Sequence, residues 1–152
     1  LPPDAIRGWV SEAFRGWPKG SPRKKPVLST PRMRARIAHL VDKPGAPQSE
    51  LRVGHVGLPR NHPDFFSTLV MNAVLGGLFG SRINLNLREV HGYTYGASSY
   101  YDWRKEPGPF VISTAVESEV TAAALHEIFG EVERIRRDSV SPEELSLAKE
   151  YL

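Results

Sequence analysis

The sequence predicts an α+β fold, a two-layer sandwich in which helices pack on one face of a mainly antiparallel sheet. Three observations predict it. Strand candidates come in two pairs, Arg36–Val41 with Gln48–Leu58 and Tyr93–Tyr101 with Phe110–Val116, and each pair precedes two helical runs. The resulting order is β-β-α-α-β-β-α-α. The second pair is joined by a loop containing Pro107-Gly108-Pro109, as suits antiparallel neighbours. At 152 residues, the chain can bury one sizeable core but not two.

Taken in order, Asp4–Trp17 has Ile6, Trp9, Val10, Ala13, Phe14 and Trp17 at three- and four-residue spacing, the period of an amphipathic helix. Its apolar face docks either on an upstream domain or on its own. From Arg15 to Arg36 there are eight Lys and Arg and no acid, among Pro18, Pro22, Pro26 and Pro31. Such a stretch reads as an extended, solvated, semi-rigid linker.

Pro44-Gly45 marks a turn before the second strand, where Leu51, Val53, His55 and Gly57 share a face. Asn61-His62-Pro63-Asp64 opens a helix that runs to Leu78 along a broad apolar stripe. Gly76-Gly77 and Gly80 end it, and Ser81 is the N-cap of a shorter helix reaching Val90. Ser118–Arg137 is a long helix with Glu119, Glu127 and Glu131 early and three arginines late, an arrangement that suits the helix dipole. Ser141-Pro142-Glu143-Glu144 reads as a capping box for the last helix, and that helix reaches Leu152 without a C-cap. The chain, which starts at Leu1, therefore looks cut at both ends.

Composition excludes several kinds of chemistry. There are no cysteines, hence no disulfide framework, thiolate zinc site or cysteine nucleophile. The five histidines, His39, His55, His62, His91 and His126, are never closer than seven residues, so no H-x-x-E-H or H-x-x-x-H pair exists and no metal is expected in this chain. No apolar run approaches the roughly 18 residues of a membrane span, and nothing resembles a signal peptide. The net charge of +3 hides an asymmetry, because outside residues 15–36 there are 12 Lys and Arg against 17 acids. Those basic residues stand among prolines without aromatic stacking partners, so no nucleic acid is expected as partner. Gly76-Gly77-Leu78-Phe79-Gly80-Ser81-Arg82 lacks the lysine and spacing of a phosphate loop.

The informative run is Leu87-Arg88-Glu89-Val90-His91-Gly92-Tyr93-Thr94-Tyr95-Gly96. Arg88 and Tyr95 stand seven residues apart across a glycine, where a helix hands over to a strand. Singly, each reads as structural: the arginine solvated or paired with Glu89 or Asp102, the tyrosine packed. Together they can present two hydrogen-bond donors to one oxygen.

From Asp42 to Leu152 the chain resembles the zinc-free domain of the pitrilysin or insulin-degrading-enzyme family, the inverzincin metallopeptidases, which include mitochondrial processing peptidase. Four pieces carry the resemblance: Asp42–Ser49, Asn72–Arg82, the Arg88/Tyr95 run, and Ser141–Leu145 with Ala148-Lys149. In such enzymes an H-x-x-E-H domain holds zinc, and a second domain of the same fold supplies an arginine and a tyrosine.

The resemblance implies that residues 1–17 are the tail of a preceding domain and 18–35 a linker. Residues 36–152 would then be the zinc-free, substrate-binding half, truncated at its C-terminus. It implies zinc on a partner domain or subunit, Arg88 and Tyr95 as catalytic contributors, a peptide substrate, and no cleavage by this chain alone. Dimerisation is one arrangement open to it, and a periplasmic or exported bacterial location is favoured. The alternative is a non-catalytic scaffold of the same fold, like the core subunits of respiratory complexes, with Arg88 and Tyr95 as relics.

Overall fold

The central strand is the one that alternates most regularly over its length. A computed structural model describes residues 1–21 and 35–152, and its sheet contains three antiparallel strands. Strand β1 (Gln48–Val56) pairs with β3 (Pro109–Glu117) from Gln48↔Glu117 to Val56↔Pro109. Strand β2 (Ala97–Tyr101) pairs with the other side of β3, from Ala97↔Thr114 to Tyr101↔Phe110. Along β3 the residues Phe110, Ile112, Thr114 and Val116 are buried while their neighbours are not, as the two-residue period of a strand requires.

The helices cover the face that those buried side chains define. They are α2 (Phe65–Asn72, prolonged by the π-helical stretch Ala73–Gly77), α3 (Arg82–Asn84, prolonged by a second π-helical stretch Leu85–Val90) and α4 (Thr121–Arg137). Leu75, Ile83, Leu87 and Ile128 from this layer meet Leu51, Ile112 and Val116 from the sheet in one core. Each such aliphatic side chain contributes about 1.5–3 kcal/mol by leaving water. The α+β sandwich is therefore the observed architecture. Cross-strand pairing also fixes what lies on the opposite face. Ser98 and Arg52 both oppose Ser113, and Glu50 opposes Ala115, so these side chains share the uncovered side of the sheet.

Helix α5 (Pro142–Tyr151) opens with the expected capping box. The Ser141 hydroxyl accepts from the Glu144 N–H (3.1 Å), and the Ser141 N–H donates to the Glu144 carboxylate (2.8 Å). The same carboxylate takes two bonds from Arg82, whose side chain is 6% exposed. These bonds hold Glu144 down to about 2 against the burial that pushes it up, and the Ser141 N–H adds to the depression.

Several expectations need correction. Residues 36–41 form no strand; Ile37, Leu40 and Val41 are exposed, because β1 finds its one ladder with β3 and the segment has no partner among the described residues. Strand β2 starts at Ala97 rather than Tyr93, for a reason given below. The long helix begins at Thr121, after a 3₁₀ turn Ser118–Val120. Ser81 occupies the N-cap position but its hydroxyl makes no cap bond; its carbonyl accepts from Leu85 N–H (2.9 Å) while Oγ is buried without a partner among the described residues. By length and composition the helical stretch Phe65–Val90 would pass for a membrane span. It is interrupted at 78–81, however, and it sends Leu75, Ile83 and Leu87 into the core.

The first helix, α1, covers Pro3–Ala13 rather than continuing to Trp17. Ile6, Trp9, Val10, Phe14 and Trp17 are all exposed, and nothing among the described residues covers them. Most of the expected linker, 22–34, lies outside the described residues.

Candidate functional site

Two residues before the start of β2, the backbone is tied by side chains instead of by a ladder. Gly92 takes φ +66° and turns the chain out of α3, a conformation open to glycine at little cost. The Gly96 N–H donates to Thr94 Oγ1 (3.1 Å), and the Thr94 hydroxyl donates to the Gly96 carbonyl (2.9 Å). The buried Thr114 hydroxyl, from the middle of β3, lies 3.0 Å from both Thr94 Oγ1 and the Gly96 carbonyl. Groups that would have extended the strand are thus already engaged, which is why β2 begins at Ala97. Tyr95 stands at the apex of this turn, 94% exposed. Its backbone is held while its phenol is left to solvent.

Arg88 lies in the second π-helical stretch, a widening of the helix that is often associated with functional sites. Its guanidinium carbon sits 4.4 Å from the centre of the Phe79 ring, within range of a cation–π attraction of about 0.5–2 kcal/mol. Arg88 Nη1 is also 3.3 Å from Glu89 Oε1. That contact is an ion pair without hydrogen-bond geometry, since Nη1 is buried and makes no hydrogen bond among the described residues. Of the two acids expected as structural partners, Glu89 is therefore the one used; Asp102 pairs with Arg104.

Tyr95 and Phe79, the ring under Arg88, both line a groove of ≈ 540 Å³. One wall is the α2–α3 link, Gly76–Phe79. The other is Tyr95–Ser98, with Ser113 and Ala115 from the uncovered sheet face as floor and Glu50 at one side. Tyr95 also borders a second depression of ≈ 570 Å³ formed with Ala46–Gln48 and Glu117–Glu119. Tyr95 thus lines the groove directly, whereas Arg88 lines neither depression and is tied to the groove through its contact with Phe79, a residue 73% exposed. Among the described residues no hydrogen bond joins Arg88 to Tyr95. A phenol on one wall and a guanidinium behind the Phe79 ring of the other are both donors, of the kind a carbonyl oxygen or a carboxylate accepts from.

Other candidates have local roles. His62 Nδ1 accepts from the Asp64 N–H at 3.1 Å, a local turn contact; the expected helix cap is not made, since α2 begins at Phe65 with Asp64 in the N-cap position and no side-chain cap bond. His91 stacks on Tyr93 and lies 3.6 Å from Glu127. Among the described residues no three His, Asp or Glu side chains are grouped to hold a metal. Gly76 serves close packing: a Cβ there would stand 2.5 Å from Ser99 Oγ.

Residues that sequence reasoning missed are the polar ones that build the walls. Asn72 donates from Nδ2 to the Ser99 carbonyl (3.1 Å) and accepts from the Ser99 hydroxyl (2.8 Å). Asn84 accepts from the Ala97 N–H (2.9 Å) and donates to the Phe79 carbonyl (2.6 Å). Between them they close the outer edge of β2. Thr94-x-Gly96 was the one local signal available for the turn.

Comparison with known proteins gives the family. The model of the "Peptidase M16 inactive domain" family matches residues 1–152. An uncharacterized zinc protease, YmxG of Bacillus subtilis (strain 168), is 27% identical over 113 residues, covering 74% of this chain and 28% of that protein. A crystal structure of a peptidase M16 inactive domain from Pseudomonas fluorescens superposes with a TM-score of 0.67 at 28% identity, over 70% of this chain and 26% of that one. A protease from Helicobacter pylori shares the fold over 99% of this chain and 37% of its own, with a TM-score of 0.75 at 17% identity. The chain thus spans between 26% and 37% of the length of these proteins. It belongs to the peptidase M16 inactive-domain family.

Proposed function

We propose that this chain is the substrate-binding, zinc-free half of an M16 metallopeptidase, with Arg88 and Tyr95 directed toward a zinc site on another domain or subunit. The observation that carries the proposal is Tyr95, a phenol 94% exposed at the rim of a groove, on a turn fixed by Thr94, Gly96 and Thr114. A tyrosine kept for packing would be buried; this one is held ready and left free. Family membership and the zinc protease relative support the same conclusion.

The chemistry is differential binding of charge. Zinc, when bound by the partner domain, supplies the activated water of peptide hydrolysis. The groove takes a stretch of peptide across the uncovered sheet face. Negative charge then develops on the carbonyl oxygen, and the Tyr95 hydroxyl and the Arg88 guanidinium donate to it. One preorganised donor of this kind is worth about 3 kcal/mol of barrier, roughly 10²-fold in rate. Phe79 keeps the arginine at the groove without neutralising it, because a ring face attracts a cation but takes no proton.

The test is turnover of a peptide by the full-length protein, or by this chain with its zinc partner, carrying Arg88→Ala or Tyr95→Phe. Losses of about 10²-fold, with zinc content and fold unchanged, are expected. Unchanged turnover in both variants would instead assign the chain a scaffold role. This chain alone is expected to leave the same peptide uncut.

A further inference from the structure

Asn84 is 3% exposed, and both ends of its carboxamide are engaged. Nδ2 donates to the Phe79 carbonyl at 2.6 Å, and Oδ1 accepts from the Ala97 N–H at 2.9 Å. The two bonds go to opposite walls of the groove. Phe79 belongs to the α2–α3 link, and its ring carries the Arg88 guanidinium. Ala97 lies two residues beyond Tyr95. Turning the amide over would set donor against donor at Ala97 and oxygen against oxygen at Phe79, so its orientation is fixed by its partners. A buried bridge with both ends satisfied is rigid where water would not be.

We propose that Asn84 is a positioning residue that sets the distance of Tyr95 from the Phe79–Arg88 pair across the groove; this rests on the proposed role of Arg88 and Tyr95. Asn84 touches no reacting atom and acts through the backbone at 79 and 97. Misplacing one wall by about 1 Å is enough to cost about 10²-fold in a reaction that depends on alignment. Asn84→Ala removes both bonds. Asn84→Asp keeps the size and the acceptor for Ala97 but faces the Phe79 carbonyl with a second oxygen, and it serves where the alanine variant fails to fold.

The experiment uses the full-length protein with its zinc domain. Hydrogen exchange followed by mass spectrometry compares residues 95–99 with β3 in wild type and in the Asn84 variant. Exchange at 95–99 should accelerate about tenfold more than in β3; equal acceleration of both overturns the bridge. Peptide turnover is then measured for the Asn84 variant, Tyr95→Phe and the double variant. The Asn84 variant should lose about 10²-fold in kcat/KM, and the double variant little more than Tyr95→Phe alone, as groups acting through one another do. Losses that multiply overturn the proposal for Asn84 and leave Tyr95 its role. Full turnover by Tyr95→Phe alone removes both, and that single variant tells the two failures apart.

Discussion

Arg82 and Glu144, 62 residues apart, are joined by two parallel bonds of 2.6 and 2.7 Å that fasten α3 to α5. The guanidinium is buried and the carboxylate about a third exposed. One further guanidinium nitrogen, Arg82 Nη1, is buried without a partner among the described residues. Removing the acid leaves a buried cation uncompensated, which costs more than the pair itself contributes. Glu144→Gln should destabilise the protein by about 1.5–3 kcal/mol, visible as a lower urea midpoint with an unchanged slope.

The same pair sets a pH dependence. Glu144 is held at about 2 instead of its ordinary 4.5, first by the Arg82 bonds. Its folded value lies below its unfolded value, so its contribution is fully present above about pH 4.5 and is lost as pH falls toward 2. Urea melts of wild type and Glu144→Gln should differ by a constant amount from about pH 5 to 7. The two curves should converge between about pH 4 and 2.5. A gap that stays constant through that range would show that the carboxylate titrates normally.

Glycines at 76 and 130 should respond in opposite directions to alanine. A Cβ at Gly76 would meet Ser99 Oγ at 2.5 Å and Ser99 N at 2.7 Å, whereas one at Gly130, inside α4, meets nothing within 4 Å. Gly76→Ala should therefore cost about 1–3 kcal/mol through overpacking. Gly130→Ala should stabilise by about 0.5–1 kcal/mol through helix propensity and reduced freedom of the unfolded chain. Thermal melts of the two variants should bracket wild type.

Turnover and stability should separate at the groove. The Tyr95 hydroxyl has no hydrogen-bond partner among the described residues, so Tyr95→Phe should change stability by less than about 0.5 kcal/mol while lowering kcat/KM about 10²-fold. Phe79→Leu removes the ring beneath Arg88. It should lower kcat/KM with a change in stability of at most about 1 kcal/mol, because the ring is largely exposed. Calorimetry and peptide kinetics on the same preparations check both.

Much of this was legible in the amino-acid order, and the exceptions share a cause. Local signals succeeded: the capping box at Ser141–Glu144 and the alternation in β3 each depend on neighbours in sequence. Features decided by distant partners did not show. Residues 36–41 have strand-like composition, yet a strand exists only through a ladder. Glu131 reads in the sequence only as an early acid suiting the helix dipole; it is buried, receiving the Asn86 amide at 3.0 Å from another helix. Arg82 looked like the tail of a glycine loop and is the centre of an interhelical pair. At the candidate site, the Arg88/Tyr95 spacing was visible. Asn84 and Thr114, which shape the walls, were not, because nothing local marks a buried carboxamide whose partners lie 5 and 13 residues away or a hydroxyl whose partners lie 18–20 away.

Every bond that fixes the turn at 94–97 ends on main chain or on a threonine or asparagine, and none ends on the phenol. Folding therefore exerts no selection on which head group stands at position 95. A lineage could exchange it by one codon change, keep the scaffold, and acquire or abandon chemistry without passing through an unfolded ancestor.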